Sequence, residues 1–381
     1  MARHKPTRKV RTDFRKNRET RSRERRLTEQ FTRPDGYDAL DQVVQQERLS
    51  GKGDVTRRRT VVGTELNDDS TGMAIIPEVD TSLCLAGTVL RAGGLHSEVL
   101  GADGKTYRCA TRRLLKTLAT DQRHVVAAGD RVMFRPAGGV DGIIERVEPR
   151  YGVLARDSRG RQHVMVANVD QLIIVASAAE PGLKPHLIDR ILLSAEKASI
   201  RPLICINKAD LIEPADLQPI IGCYGQLGYE VLLISATHGW GVDRLHERVV
   251  GRANAVVGQS GVGKSSVLNA IEPGLDLKVR AVSAENEKGR HTTTAAQLVP
   301  LQAGGFVVDT PGIRQFALWD VIRAEVSGLF REIRPIGNLC GYPDCTHTHE
   351  AQCAVKDAVA DGLLDVRRYE SYCHMQEELA R

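Results

Sequence analysis

The stretch Gly258-Gln259-Ser260-Gly261-Val262-Gly263-Lys264-Ser265-Ser266 lies between a short apolar run, Ala255-Val256-Val257, and a predicted helix, Val267-Leu268-Asn269-Ala270-Ile271. Strand, loop and helix in that order are the setting in which GxxxxGK[ST] holds phosphates. The glycines let backbone N–H groups converge without a Cβ in the way. Lys264 is placed to reach the terminal phosphates and Ser265 to ligate Mg2+, while the helix N-terminus favours negative charge. A chance glycine-rich turn is the alternative, and it explains neither the strand before the loop nor the helix after it.

Working outward, Pro202-Leu203-Ile204-Cys205-Ile206 runs into Asn207-Lys208-Ala209-Asp210. An NKxD at a strand's carboxyl end stands where α/β sheets bind ligands. Its aspartate can accept paired hydrogen bonds from guanine's ring N–H and exocyclic amine, and adenine offers neither. The next strand, Val231–Ile234, ends in Ser235-Ala236, whose backbone is placed to meet the guanine carbonyl. Downstream of the phosphate loop, the polar stretch 280–294 ends in Gly289-Arg290-His291-Thr292-Thr293-Thr294. It reads as a loop carrying a threonine to Mg2+ and a γ-phosphate, assigned to Thr293 with Thr292 and Thr294 left open. Phe306-Val307-Val308 then leads into Asp309-Thr310-Pro311-Gly312. The aspartate of this DxxG holds Mg2+ and the Gly312 N–H senses the γ-phosphate.

The order is unusual, because the base-reading motifs precede the phosphate loop. A permuted chain can close the same sheet when the natural ends lie close together. Glutamine often follows the DxxG glycine to orient water. Here Ile313 stands there, which cannot hydrogen-bond water, and His291 in the threonine loop is taken as its polar substitute.

The flanks differ in character. Residues 1–30 hold 12 Lys/Arg against 4 Asp/Glu, while the rest holds 41 basic and 44 acidic residues, so the net charge of +5 is concentrated in an arm. Few apolar residues means little surface to offset ordering entropy, so residues 1–80 read as a disordered basic arm and linker, with a short helix possible over 38–47. The arginines suit phosphate contacts to a nucleic acid, and a merely solvating tail is the bland alternative. Five short strands at 87–91, 97–100, 107–110, 130–134 and 142–147 suit a small barrel of OB type over 81–150. That barrel offers only Tyr107 and Phe134 for stacking, with 11 Lys/Arg against 7 Asp/Glu. Backbone and shape contacts to structured RNA are therefore expected rather than base stacking.

At the other end, Cys340-x4-Cys345-x-His347-x5-Cys353 matches a closed tetrahedral Zn2+ site, with His349 as a competing ligand. The remaining five of the eight cysteines, Cys84, Cys109, Cys205, Cys223 and Cys373, are scattered, which fits a reducing cytoplasm rather than a disulfide framework. No apolar run approaches a membrane span.

Together these motifs resemble the RsgA/YjeQ family of bacterial small-ribosomal-subunit biogenesis GTPases. NKAD, SA, GQSGVGKSS, GRHTTT, DTPG and C-x4-C-x-H-x5-C carry the resemblance over about residues 83–381. It implies a multidomain chain: an OB-fold β-barrel, a circularly permuted α/β P-loop GTPase domain over 151–318, and a small α-helical zinc-binding domain over 319–381. It further implies a cytoplasmic factor in late small-subunit maturation, bound to that subunit and its rRNA, hydrolysing GTP to GDP with Mg2+ and released on hydrolysis. A catalytic role for His291 beside Lys264, and one structural Zn2+ at Cys340, Cys345, His347 and Cys353, come with the resemblance. A monomer with no membrane partner is expected. The competing readings are a nucleotide-dependent binding switch with negligible turnover and an ATP-dependent kinase or RNA-modifying enzyme; NKAD opposes the latter.

Overall fold

The computed structural model describes residues 8–13, 58–65, 75–93, 95–118, 125–157, 162–273, 296–309 and 321–380. Two small antiparallel sheets are separate from the main sheet. β1 (Arg8–Asp13), β2 (Arg58–Glu65) and β3 (Ile75–Pro77) form one of them. This differs from the unstructured arm expected of the charge pattern. Val10 and Thr12 alternate with charged residues, the partner carries Thr60, Val61, Val62 and Thr64, and Arg8–Asp13 finds backbone partners 45 to 55 residues away, in register from Arg8↔Gly63 to Asp13↔Arg58. The helix expected over 38–47 lies outside the described residues.

The barrel follows. β4 (Leu85–Ala92), β5 (His96–Gly101), β6 (Thr106–Thr111), β7 (Arg131–Gly138) and β8 (Asp141–Val147) run in the order β4-β5-β6-β8-β7, and β7 closes back on β4. All neighbours are antiparallel except β6 and β8. Closure leaves no free edge and yields the OB-type ring. Alternating inward residues fill it, with Val89, Val99, Cys109, Val132, Phe134 and Ile144 all buried. Tyr107 and Phe134 belong to this core, their ring centroids 4.9 Å apart, so neither aromatic faces outward to stack on a base.

β9 (Leu154–Asp157) and β10 (Gln162–Val166) form the second small sheet. The junction beside them is polar and sealed. Arg150 donates from Nε to Asp130 Oδ1 at 2.7 Å and from Nη2 to Asp130 Oδ2 at 2.7 Å, and both side chains are fully buried. The Ala127 N–H also donates to Asp130 at 2.8 Å, and Asn168 Nδ2 donates to the Gly129 carbonyl at 2.9 Å. A buried pair holds only when the remaining lone pairs are satisfied, as these are.

β11 (Gln171–Ser177), β12 (Arg201–Asn207), β13 (Glu230–Leu233), β14 (Ala253–Val257), β15 (Gln297–Pro300) and β16 (Phe306–Asp309) make the α/β sheet, ordered β13-β12-β11-β14-β16-β15. All are parallel except β15. β11 is buried along its whole length, as a central parallel strand covered on both faces must be. Leu172 and Ile174 face the helices Pro185–Lys197 and Gln218–Gln226, whereas Ile173 and Val175 face Val242–Val249 and Lys264–Ile271. β15 also pairs with β4 at Gln297↔Arg91, so barrel and α/β sheet are hydrogen-bonded edge to edge.

The C-terminal part is helical, ending in Ala354–Ala360 and Val366–Glu378. Val326, Phe330, Ile333, Val355 and Tyr372 form its core, joined by Leu193 from the α/β layer. Asp365 caps the last helix, accepting from the Arg367 N–H at 2.9 Å and from Arg367 Nη2 at 2.6 Å. The Arg367 hydrogen bonds, first among the causes, pull the Asp365 carboxyl from 3.8 down to about 2. A depressed folded pKa adds stability above the unfolded value and loses it as pH falls through the folded one. Thermal unfolding of Asp365→Asn is therefore expected to lie below wild type at neutral pH, and that gap should close as pH falls from about 4 to 2. A gap that is independent of pH would show that the carboxylate charge does not matter.

Candidate nucleotide site and cysteine–histidine cluster

Phosphate-loop and base-reading residues meet because each follows the carboxyl end of a neighbouring parallel strand. β14 delivers Gly258, β12 ends at Asn207, and β13 is followed by Ile234, Ser235 and Ala236. This is the crevice side of an α/β sheet.

The loop needs its glycines for stated reasons. Gly258 has φ +152° and Gly263 has φ +89°. A Cβ on Gly258 would stand 2.1 Å from the Val175 carbonyl oxygen, and one on Gly263 would stand 2.4 Å from Asn207 Nδ2. Gly261, at φ +84°, turns the exposed tip beside Gln259 and Ser260. Val262 is buried under the sheet, anchoring the loop. Lys264 Nζ donates to the carbonyls of Gly258 at 2.8 Å and Gln259 at 2.7 Å, which holds the ammonium within the loop. Ser265 and Ser266 are half-buried in the first helical turn.

Asn207 ties the three motifs together. Its Nδ2 donates to the Val262 carbonyl at 2.9 Å and its Oδ1 accepts from the Ala236 N–H at 3.1 Å. Lys208 adopts a left-handed conformation, φ 61°, and its ammonium donates to the Glu180 carbonyl. Ala209 is buried, with its N–H on the Ile234 carbonyl at 3.1 Å. Asp210 is the candidate for base selection. A hydrogen bond from the Ser235 hydroxyl, above all, holds its carboxyl below the ordinary range. One oxygen lies 3.5 Å from His238 Nδ1, whereas Oδ1 is buried with no hydrogen-bond partner. A carboxylate oxygen shielded from water without a donor is left unsatisfied. Guanine's N1–H and 2-amino group are the donors that would satisfy it.

Three further groups here escape a sequence reading. Glu180 acts through its carbonyl, which carries no sequence signal. Ser177, with a buried hydroxyl lacking a hydrogen-bond partner, ends the strand β11, whose centre is apolar. The His238 and Trp240 rings, 5.8 Å apart, follow Ser235-Ala236 and could have been flagged by their place after that dipeptide. His291, Thr293 and Gly312 lie outside the described residues. Asp309 ends β16 opposite Gln297, and its side chain is likewise outside the description.

A second constellation stands in the C-terminal part. Cys340, Cys345, His347 and Cys353 each bring one ligand atom into a group spanning no more than 4.8 Å. Cys340 Sγ is 3.3 Å from His347 Nδ1 and 3.9 Å from Cys353 Sγ, and Cys353 Sγ is 3.6 Å from the same nitrogen. A tetrahedral zinc with bonds of about 2.0–2.3 Å sets its ligand atoms roughly 3.5–3.8 Å apart, so donors and spacing fit that ion. None of the four cysteines in this part is in a disulfide. His349 points away, its side chain 81% exposed. The loop is held from outside: Tyr369 Oη donates to the His347 carbonyl at 2.8 Å and Tyr372 Oη to that of Thr346 at 2.7 Å. Glu350 accepts from the Thr346 and Thr348 N–H groups at 2.7 and 3.1 Å.

Comparison with known proteins points one way. The model of the RsgA GTPase family matches residues 147–319. A small ribosomal subunit biogenesis GTPase RsgA of Ectopseudomonas mendocina (strain ymp) is 41% identical over 303 residues, covering 77% of this chain and 85% of that protein. One of the same name from Gemmatimonas aurantiaca is 40% identical over 298 residues, 77% of this chain and 97% of its own. Among solved structures, YjeQ from Thermotoga maritima superposes with a TM-score of 0.64 at 34% identity, over 78% of this chain and 99% of that one. YloQ, a circularly permuted GTPase, gives 0.62 at 27% identity, over 78% and 95%. With its permuted sheet, barrel and cysteine–histidine cluster, the chain belongs to the RsgA GTPase family.

Proposed function

We propose that the chain binds GTP between Gly258–Ser266, Asn207–Asp210 and Ser235-Ala236, hydrolyses it, and acts on the maturing small ribosomal subunit in the cytoplasm. The observation that carries this reading is the buried, partnerless Asp210 oxygen beside a phosphate loop, which asks for guanine at one end and phosphate at the other. A GTPase role in ribosome biogenesis follows from the family. The finer statements, rRNA binding and release on hydrolysis, are ours.

Phosphoryl transfer demands positioning and charge stabilisation more than covalent chemistry. Lys264, turned from its loop carbonyls to the β and γ oxygens, supplies a fixed positive charge, and the loop amides add donors. Mg2+, held through Ser265, Thr293 and Asp309, would neutralise charge on the β and γ oxygens. His291 is the group we assign to orient the attacking water. Zn2+ at Cys340, Cys345, His347 and Cys353 is structural in this reading, because four protein ligands leave no open position. Among the described residues no helix is long and apolar enough to cross a membrane.

Steady-state GTP hydrolysis with and without purified small subunits tests the reading. Strong stimulation by the small subunit alone is expected. His291→Ala should lower the stimulated kcat about 100-fold with little change in nucleotide affinity. Unchanged stimulated turnover in that variant would remove His291 from the chemistry and leave the GTPase assignment standing.

A further inference from the structure

The helix Pro185–Lys197 is shared by two cores. Ile188, Ile191 and Leu192 pack on the α/β sheet, and Leu193 packs among Phe330, Tyr372 and Met375 of the C-terminal part. Its outer face is pinned by charge. Asp189 pairs with Arg368, both side chains nearly inaccessible at 1% and 2%, and Tyr224 Oη donates to Asp189 Oδ1 at 2.8 Å. Arg368 Nε continues to Glu332 Oε1 at 2.6 Å. Around this buried centre lie Arg190–Glu378, Arg331–Glu196 and Lys197–Glu325, each at 2.7 Å.

The opposite, leading end of the helix is built differently. The segment that feeds it carries the Glu180 carbonyl on which the Lys208 ammonium rests. Pro181 Cδ lies 3.6 Å from where a Cβ on Gly261 would stand. Ser177, Gly182, Lys184 and Leu187 line a cleft with Gly258 and Gln259 of the phosphate loop. Ser177 Oγ faces this region buried and without a hydrogen-bond partner. The helix is thus fixed at its C-terminal-domain face and incompletely packed where it meets the nucleotide loop.

We propose that helix Pro185–Lys197 transmits nucleotide occupancy to the C-terminal domain, with Asp189–Arg368 as the buried pivot; the inference rests on the GTPase reading above. An element that is anchored in the C-terminal domain and lines the phosphate-loop cleft with its less buried first turn is the kind whose equilibrium a ligand can bias. Arg368 acts here as a positioning residue, over the carboxylate of Asp189, and touches no nucleotide group.

Hydrogen exchange on the full-length protein, apo, with GDP and with a non-hydrolysable GTP analogue, tests this. Wild type is expected to show changes of about threefold or more in exchange rate at both 185–197 and 366–378 when nucleotide binds. Arg368→Met should keep the nucleotide Kd within about twofold while abolishing the response at 366–378. Because that variant strands two buried carboxylates, the half-exposed rim pairs give a second test in Lys197→Ala/Arg331→Ala, which should cut the response at 366–378 by about half. An undiminished response at 366–378 in a folded variant that still binds nucleotide would overturn the proposal. So would binding to wild type that leaves 366–378 unmoved, and that result would spare the GTPase reading. Failure of wild type to bind guanine nucleotide at all would overturn both.

Discussion

Asp210→Asn is expected to lower the affinity for GTP and GDP by about 100- to 1,000-fold and to raise that for xanthine nucleotides. The reasoning is donor and acceptor arithmetic at a buried position. Asp210 presents a carboxylate whose Oδ1 lacks a partner, so guanine's two N–H donors gain more there than in water. An amide in the same place offers a donor where the 2-amino group also donates. Xanthine carries a carbonyl there, so the amide N–H of the variant finds an acceptor. Sites built around a buried polar group discriminate strongly because the wrong ligand leaves that group unpaired. The Asn207 hydrogen bonds to Val262 and Ala236 are not altered by the substitution, so the loop scaffold should survive. Competition binding of GDP and XDP to the purified protein checks this, and equal weakening for both would show that Asp210 serves the fold instead.

Cys353→Ser is expected to abolish zinc binding at the proposed site and to unfold the C-terminal helices around it. Cys353 is 2% exposed and belongs to the same core as Phe330, Val355 and Tyr372. Structural zinc contributes an apparent ~10–16 kcal/mol to small domains at neutral pH, far more than the few apolar side chains of a short loop can replace. Elemental analysis should fall from one zinc per chain to a small fraction of that. The Tyr369 and Tyr372 hydrogen bonds to the loop carbonyls should go with it, visible as faster amide exchange over 366–378. Chelation of wild type should reproduce the variant. A wild-type protein that carries no zinc, and whose stability ignores a strong chelator, would sink the structural-metal reading.

Much of the site was legible because its chemistry sits on strand ends. GxxxxGKS and NKAD declare themselves by residue type, and the apolar runs before them locate the sheet that brings them together. The barrel strands were legible for a similar reason, since alternation with turns between is a local pattern. What could not be read locally was the pairing of distant backbone. Arg8–Asp13 reads as charged arm until Arg58–Glu65 supplies its hydrogen bonds. β15 is four residues long, contains Pro300, and owes its strand character to β16 and β4. The Asp189–Arg368 pair joins residues far apart in sequence, and an aspartate on an amphipathic helix gives no sign that it will be buried. Tyr107 and Phe134 could be read as surface aromatics only until the barrel closed around them.

The permuted order also dictates what a growing chain exposes. β11 and β12 pair with each other early, yet the other edge of β11 waits for β14, which starts at Ala253, 46 residues beyond the end of β12 at Asn207. Until then a strand with the apolar centre Leu172–Ala176 presents an unpaired edge of the kind that recruits other chains. The barrel's junction to β15, Gln297 against Arg91, closes later still and across a long span of sequence. Such non-local closure is slow. Overproduction should therefore tax this chain's solubility during synthesis more than its folded stability would suggest, and slower translation downstream of residue 177 would worsen the yield.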